Sequence, residues 1–251
     1  MEISFLYKIA LWLIFGFAAL VFLLLFFVPA PYGKFSRSGW GPTVRAKWGW
    51  MLMELPSPAL MTYFYLTAPQ RDLPQMIFIG LWLIHYLHRT FIYPFTQSGR
   101  NKDYPLMLVA MAFFFNILNG FVNGYGLFHY AIYSFSWIMT WQFLAGFILF
   151  FTGFVINKMS DWRLSRLRKG NPGEYVIPQG GWFRFVSSPH FLGEIIEWSG
   201  WAVITLSTPG LAFALFTFAN LFPRAIASHK WYRQKFPDYP AKRKAIIPFI
   251  V

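Results

Sequence analysis

The sequence predicts an all-α fold: a polytopic integral membrane bundle of seven transmembrane helices, with the amino terminus outside and the carboxyl terminus in the cytoplasm. Three observations lead there. Of the 251 residues, 57% are hydrophobic and only 12% are charged, about half the charged share of a soluble domain. Seven apolar runs have the length that crosses a bilayer, and spans of this kind must be helical because lipid offers their amides no water. Lys and Arg crowd into alternate connections between those runs.

The first run, Ile9 to Val28, is longer than a signal-peptide core and ends in Phe-Val-Pro-Ala-Pro-Tyr without a small-residue cleavage site, so it reads as a retained helix. The connection after it holds Lys34, Arg37, Arg45 and Lys47. The second run, Trp50 to Thr67, contains Pro56 and Pro58, which interrupt backbone hydrogen bonding and predict a kink. Arg71 and Asp72 offset one another before the third run, Met76 to Phe95, and Arg100 and Lys102 follow it. The fourth and fifth runs, Pro105 to Val122 and Trp137 to Asn157, are joined without Lys or Arg. From Lys158 to Pro189 the chain is too long for a tight connection and carries Lys158, Arg163, Arg166, Arg168, Lys169 and Arg184. It opens with a polar helical pattern in which Asn157, Asp161, Leu164, Ser165 and Arg168 share one face. The turn signals Asn171-Pro172-Gly173 and Pro178-Gln179-Gly180-Gly181 come next. The sixth and seventh runs, Phe191 to Ser207 and Pro209 to Ala227, lead into a tail rich in aromatics, prolines and cations, expected to pack against the cytoplasmic mouth.

This distribution sets the orientation by the positive-inside rule. It also accounts for most of the net charge of +13 as topology signals touching lipid phosphates, so nucleic acid is not the expected partner. Cysteine is absent, which excludes disulfides, thiolate nucleophiles and cysteine metal sites. With no repeat and no low-complexity linker, residues 1–251 read as one membrane-embedded domain. A bacterial inner membrane and the endoplasmic reticulum fit equally well.

Ionisable residues at membrane depth are functional candidates because they must be paired or hydrated. Glu54 sits in MLMELPSP beside the prolines; His85, Tyr86, His88, Arg89 and Tyr93 crowd HYLHRTFIYP; Glu194 and Glu197 share a face of the sixth run. The predicted topology gathers these groups at the cytoplasmic side, where a pocket would take an anionic cofactor from the cytosol and an apolar substrate from the bilayer. Arg89 and His88 also suit snorkelling to headgroups, and Tyr93 suits an interfacial aromatic. His85 and His88 have metal-compatible spacing but no acidic partner on their own helix, so no metal is expected.

Three strings together resemble the steroid 5α-reductase family: ELPSP at Glu54, HYLHRTFIYP at His85, and IPQGGWFRFVSSPHFLGEIIEWSGWA from Ile177. The tail KFPDYPAKRKAIIPFIV matches that family's closing segment, so the resemblance covers nearly the whole chain. It implies a membrane reductase whose amino-terminal helices bind substrate and whose carboxyl-terminal half binds NADPH, acting on the 4,5 double bond of 3-oxo-Δ4-steroids. It implies Tyr86 and Glu54 as catalytic residues flanking the substrate ketone, with Trp50 as a further substrate contact. For the cofactor it implicates Tyr32, Arg100, Asn157, Asp161, Arg168, Tyr175, His190, Glu194, Arg224 and Tyr232, and Lys169 lies beside them. The Gly-x-Gly-x-x-Gly fingerprint is missing, so the dinucleotide would be held by basic groups and not in the Rossmann manner.

Two departures stand out: His190 replaces the family's usual Asn, and Ser228 replaces a His of steroid-active relatives. Both bear on cofactor contacts. Relatives with similar carboxyl-terminal halves reduce polyprenols or enoyl thioesters, while ELPSP favours steroids. A membrane methyltransferase resembling the isoprenylcysteine carboxyl methyltransferases is the main rival, and it gives Tyr86 and Glu54 no task. A transporter or lipid-binding scaffold without chemistry is the third reading. The expected partners are an apolar steroid-like substrate and membrane lipids, with no obligate protein partner.

Overall fold

Helix breakers and caps divide the chain where its apolar runs end. The computed structural model describes residues 2–171 and 173–251, so Pro172 of the turn expected at 171–173 lies outside the described residues. Helix α1, Ile3–Phe27, begins six residues earlier than the hydropathy suggested, because Lys8 is tolerated within an otherwise apolar rod. A three-residue strand β1, Thr43–Arg45, leads directly into α2, Ala46–Glu54. After one residue, Leu55, α3 runs from Pro56 to Leu66. The rod is interrupted where the kink was expected, while Leu55 itself stays helical and donates its amide to the Met51 carbonyl at 3.1 Å. Pro56 and Pro58 cannot donate, which frees the carbonyls of Leu52 and Glu54 and lets the rod bend between them.

The third rod is also interrupted. Helix α4, Leu73–Leu87, passes into a π-helical turn, His88–Ile92, and then into the short α5, Tyr93–Thr96. Pro94 removes a donor immediately after the wide turn, whose closing bond runs from the Tyr93 amide to the His88 carbonyl. The extra residue rotates α5 relative to α4, a device that recurs at functional sites.

Strand β2, Asp103–Pro105, pairs antiparallel with β1, with Val44 opposite Tyr104. The all-α expectation missed this hairpin-like clasp, since three-residue strands leave no readable alternation. It ties the start of α2 to the start of α6, Leu106–Tyr125, which ends in a second π turn, Gly126–Tyr130.

Helix α7 spans Trp141–Gly170 without a break. The expected separation into a span ending at Asn157 and a polar connection is thus corrected: no proline lies between Thr140, whose hydroxyl caps the Phe143 amide at 3.3 Å, and Gly170, and the helix runs through Gly146 and Gly153. Helix α8, Pro189–Thr205, and α9, Thr208–Lys235, reverse direction through left-handed Leu206 and a Ser207 cap that accepts from the Gly210 amide at 3.1 Å.

Four helical segments are long and apolar enough to cross a membrane: Ile3–Phe27, Leu106–Tyr130, Trp141–Gly170 and Thr208–Lys235. The other three apolar runs form the divided α2–α3 rod, the π-interrupted α4–α5 rod and the 17-residue α8, none of which is long and apolar enough alone.

Helices α7 and α8 approach with almost no side chain between them. A methyl group at Gly146 would lie 2.8 Å from the Gly200 carbonyl oxygen, and one at Gly193 would lie 2.7 Å from the Gly153 carbonyl oxygen. Small residues in this register let membrane helices pack backbone to backbone, and the close fit sets Asn157 beside Glu194. The core beyond it is aromatic: Trp82, Trp198, Trp201, Phe78 and Phe150 are fully buried together. The tail folds back onto the segment that precedes α8. Ser187 donates its amide to the Lys244 carbonyl at 2.8 Å, and its hydroxyl lies 2.6 Å from both His229 Nδ1 and Tyr239 Oη.

Candidate active site

One turn of α6 brings the two expected catalytic residues together. Asn116 and Asn119 are three apart on a buried face, so their side chains are stacked about one turn apart along the helix. Asn116 Nδ2 donates to Glu54 Oε2 at 3.4 Å and to the Met53 carbonyl at 2.8 Å, bracing the divided α2–α3 rod at its break. Asn119 Nδ2 donates to Tyr86 Oη at 3.5 Å. Glu54 and Tyr86 are 9% and 3% exposed, so both look into the bundle and neither faces lipid.

A directed chain of donors stands behind the phenol. Trp201 Nε1 donates to Asn123 Oδ1 at 3.0 Å, Asn123 Nδ2 donates to Asn119 Oδ1 at 2.9 Å, and Asn119 passes a donor to Tyr86. An indole can only donate, so the polarity of the whole chain is fixed from its far end. The Tyr86 oxygen accepts within the protein, and its own O–H remains to be given away. Trp82 stacks on the phenol ring at 5.0 Å and 28° and holds its plane.

Arg89 does not snorkel. Its Nε lies 3.4 Å from Glu54 Oε1 and its Nη1 lies 3.5 Å from Glu194 Oε2, with all three side chains no more than 14% exposed. The guanidinium also lies over the rings of Trp50 and Tyr93, at 5.0 and 5.4 Å. It thereby joins the pocket around Glu54, including Trp50, to the carboxyl-terminal half. His88 joins none of these bonds, and among the described residues its buried Nδ1 has no partner.

The expected Glu194 and Glu197 pair divides its labour. Glu194 takes Arg89 and a 3.3 Å bond from Asn157 Nδ2. Glu197, fully buried, meets His85 Nδ1 at 2.7 Å, and the His85 ring packs edge-on to Tyr86 with centroids 5.1 Å apart. Through the carboxylate the imidazole is fixed in orientation beside the phenol.

The residues implicated in cofactor binding gather where α7 and α9 end and α8 begins, near the turn Gly33–Phe35. Asn157 Nδ2 donates to the His190 carbonyl at 2.9 Å. Arg224 lies over Tyr32 at 5.2 Å and over Phe191, the neighbour of His190, at 4.9 Å. Arg168 lies 6.0 Å from the Tyr175 ring, and Tyr175 packs on Trp231, the neighbour of Tyr232, at 5.1 Å. Asp161 is one turn along α7 from Asn157. Two buried polar atoms in this group, Asn157 Oδ1 and His190 Nδ1, have no partner among the described residues. Orphans of this kind beside cations and flat rings fit a dinucleotide, whose amide, ribose and phosphate groups would satisfy them. Arg100 is the exception: its Nη1 turns back to the Phe95 carbonyl at 3.2 Å, on the exposed side of the β1–β2 clasp.

Sequence reasoning missed Lys34, Asn116, Asn119, Asn123 and Trp201. Three asparagines at three- and four-residue steps inside an apolar helix were the available signal, because amides at membrane depth need partners.

The family model described as 3-oxo-5-alpha-steroid 4-dehydrogenase matches residues 102–251. The chain is 46% identical over 237 residues to steroid 5-alpha-reductase DET2 of Arabidopsis thaliana, covering 90% of each chain. It is 42% identical over 222 residues to 3-oxo-5-alpha-steroid 4-dehydrogenase 1 of Homo sapiens, covering 87% of this chain and 85% of that one. The DET2 protein of Gossypium hirsutum is 42% identical over 233 residues, with 90% of each chain covered.

Proposed function

This chain belongs to the 3-oxo-5-alpha-steroid 4-dehydrogenase family, and from that premise we propose that it reduces the 4,5 double bond of 3-oxo-Δ4-steroids with NADPH, using Tyr86 and Glu54 at the substrate ketone. It is a membrane oxidoreductase acting on CH–CH bonds. The observation that carries the mechanism is the shared turn of α6, which holds Glu54 through Asn116 and Tyr86 through Asn119.

When bound, the dinucleotide supplies a hydride to the β carbon of the enone. Negative charge then gathers on the carbonyl oxygen, so a donor already aimed at that oxygen stabilises the transition state more than the ground state. Tyr86 is that donor, because the Trp201, Asn123 and Asn119 chain leaves its O–H free. Glu54 lies on the other side of the ketone. Its two oxygens already accept from Arg89 and Asn116, so it is fixed before substrate arrives. Glu54 and Glu194 share one guanidinium, and a proton kept on either carboxyl group would leave the trio neutral. The aromatic walls of Trp50, Trp82 and Trp198 exclude water from the polarised ketone.

Asn157, Asp161, Arg168, Tyr175, His190, Glu194, Arg224, Tyr232 and Tyr32 would hold the dinucleotide. The full reading has seven membrane-crossing rods, the amino terminus outside, the carboxyl terminus in the cytoplasm, and one reductase domain over residues 1–251. Substrate enters from the bilayer and the nucleotide from the cytosol.

Incubation of the detergent-solubilised protein with NADPH and a panel of 3-oxo-Δ4-steroids is expected to give products two mass units heavier, read by mass spectrometry. NADPH, and not S-adenosylmethionine, is expected to raise the thermal midpoint, because a ligand that binds only the folded state stabilises it. Stabilisation by the methyl donor alone would remove the reductase reading.

The donor chain makes its own prediction. Asn119→Asp replaces the amide donor with an acceptor, so the Tyr86 O–H is drawn to the carboxylate and away from the ketone. Turnover is expected to fall roughly tenfold or more, the loss of about 1.4 kcal/mol in a hydrogen bond to developing charge, with KM little changed. Wild-type kcat in this variant would show that the chain does not direct the phenol.

A further inference from the structure

Lys34 is a half-buried cation that no acid among the described residues balances. It lies on the turn Gly33–Phe35 after α1, where Gly33 adopts φ +61 and brings the chain close to the Tyr175 hydroxyl. Its Nζ donates to Ser228 Oγ and sits over the rings of Tyr232 and Trp231, at 4.2 and 4.9 Å. Among the described residues, no carboxylate comes within ion-pair distance of it. The charged and titratable groups that face it are Arg168 from α7, His190 from α8, and Tyr232 from α9. None of these supplies negative charge at neutral pH. Ser228 accepts one hydrogen bond but cancels no charge.

A protein that holds an ammonium among aromatic faces, near the Arg168 guanidinium, pays for it unless an anion arrives. We infer that Lys34 is the anion-receiving group of the nucleotide pocket: it meets a phosphate oxygen of the dinucleotide. The inference rests on the proposed dinucleotide reading and extends it to a residue and a linkage. Three further observations agree. Arg224 lies over Tyr32, two residues before Lys34. Arg168 lies close enough to repel the ammonium, and both cations would be relieved by one phosphate. Burial, then the like charge of Arg168, pushes the Lys34 ammonium down to about 7, so a substantial share of free protein carries a neutral amine in neutral solution.

Linkage sets the direction of the pH effect. A bound phosphate favours the ammonium and raises its proton affinity, so binding is strongest below about 7 and weakens as the pH rises above it. NADPH binding to the full-length protein in detergent would be measured by isothermal titration calorimetry between pH 7.0 and 8.5. That range lies above the titration of a phosphate monoester, near ~6. Wild-type affinity is expected to fall roughly tenfold across it, and at pH 7.5 binding should take up about 0.8 proton, read from two buffers of different ionisation enthalpy. Lys34→Arg is expected to keep the affinity while abolishing both the pH dependence and the proton uptake, since a guanidinium does not titrate there. Lys34→Met should bind weakly at every pH with no uptake.

NADH distinguishes the two phosphate sources. If its binding is as sensitive to Lys34→Met as that of NADPH, the pyrophosphate is the partner; if it is insensitive, the 2′-phosphate is. Either pattern supports an anion at Lys34. Wild-type affinity and pH dependence in Lys34→Met, or an unchanged pH profile in Lys34→Arg, would overturn the inference while leaving NADPH binding intact. Failure of folded wild-type protein to bind NADPH at all would instead overturn the dinucleotide reading, and the role of Lys34 with it.

Discussion

Tyr86→Phe is expected to lower kcat by about 10²–10³-fold while NADPH stabilises the variant as it does the wild type. The phenol ring is held by stacking on Trp82 and by contact with His85 and Trp198, and phenylalanine keeps all of those faces. Only the oxygen is lost. It receives a 3.5 Å bond from Asn119 and has the buried Ser57 hydroxyl beside it, so the variant leaves one amide donor and one hydroxyl unanswered and little else disturbed. The transition state loses its aimed donor, whereas the ground-state ketone, which carries less charge, loses less. KM should therefore move far less than kcat. Glu54→Gln is expected to reduce turnover in the same direction, since its carbonyl still accepts while the charge toward Arg89 is gone. Single-turnover reduction at saturating NADPH, with the thermal shift as a control for binding, checks both. Turnover at the wild-type rate in Tyr86→Phe would end the assignment of the phenol to the ketone.

The contrast between Tyr86 and Arg89 also explains how far the sequence could be read. Hydropathy reveals where a helix lies along the chain, and Pro56 with Pro58 reveals where one must divide, because both depend on local covalent facts. Glu54 and Tyr86 were legible as polar groups in apolar runs, and the family resemblance assigned their roles. The rotation of one helix against another was not legible. Arg89 reaches Glu54 across 35 positions and His85 reaches Glu197 across 112, and the π turn at His88–Ile92 shifts the phase of α5 in a way no periodicity shows. Snorkelling and bridging are therefore indistinguishable for Arg89 in one dimension. The α7–α8 contact was hidden for another reason. Gly146 and Gly153, like Gly200 and Gly193, are seven apart, a spacing that brings them onto one face, yet glycine adds no hydrophobic signal to an apolar window. Lys34 was counted as one of the topology cations, since only the fold reveals that its ammonium is enclosed.

Arg89→Met is expected to damage stability, nucleotide binding and turnover together. Two carboxyl groups, Glu54 and Glu194, depend on this guanidinium and face little water. Removing the shared cation leaves both without charge compensation, a class of change that costs about 3–5 kcal/mol when the groups are buried. The protein has two ways to respond. It can bind protons on both carboxyl groups, or it can open the contact between the α4–α5 rod and α8. The first response abolishes the charge pattern at the ketone, and the second releases Glu194 from its place beside Asn157, where the nucleotide would lie. Arg89→Lys is not expected to rescue, because a single ammonium cannot reach two carboxylates on different helices with the fork that Nε and Nη1 provide. Arg89→Met with Glu194→Gln should recover part of the thermal midpoint by removing one of the stranded charges, but not turnover, since Glu54 remains unpaired at the ketone. If Arg89→Met alone keeps its melting temperature and its NADPH affinity, the guanidinium is a peripheral snorkelling group after all, and the link between the two halves of the site must run through another residue.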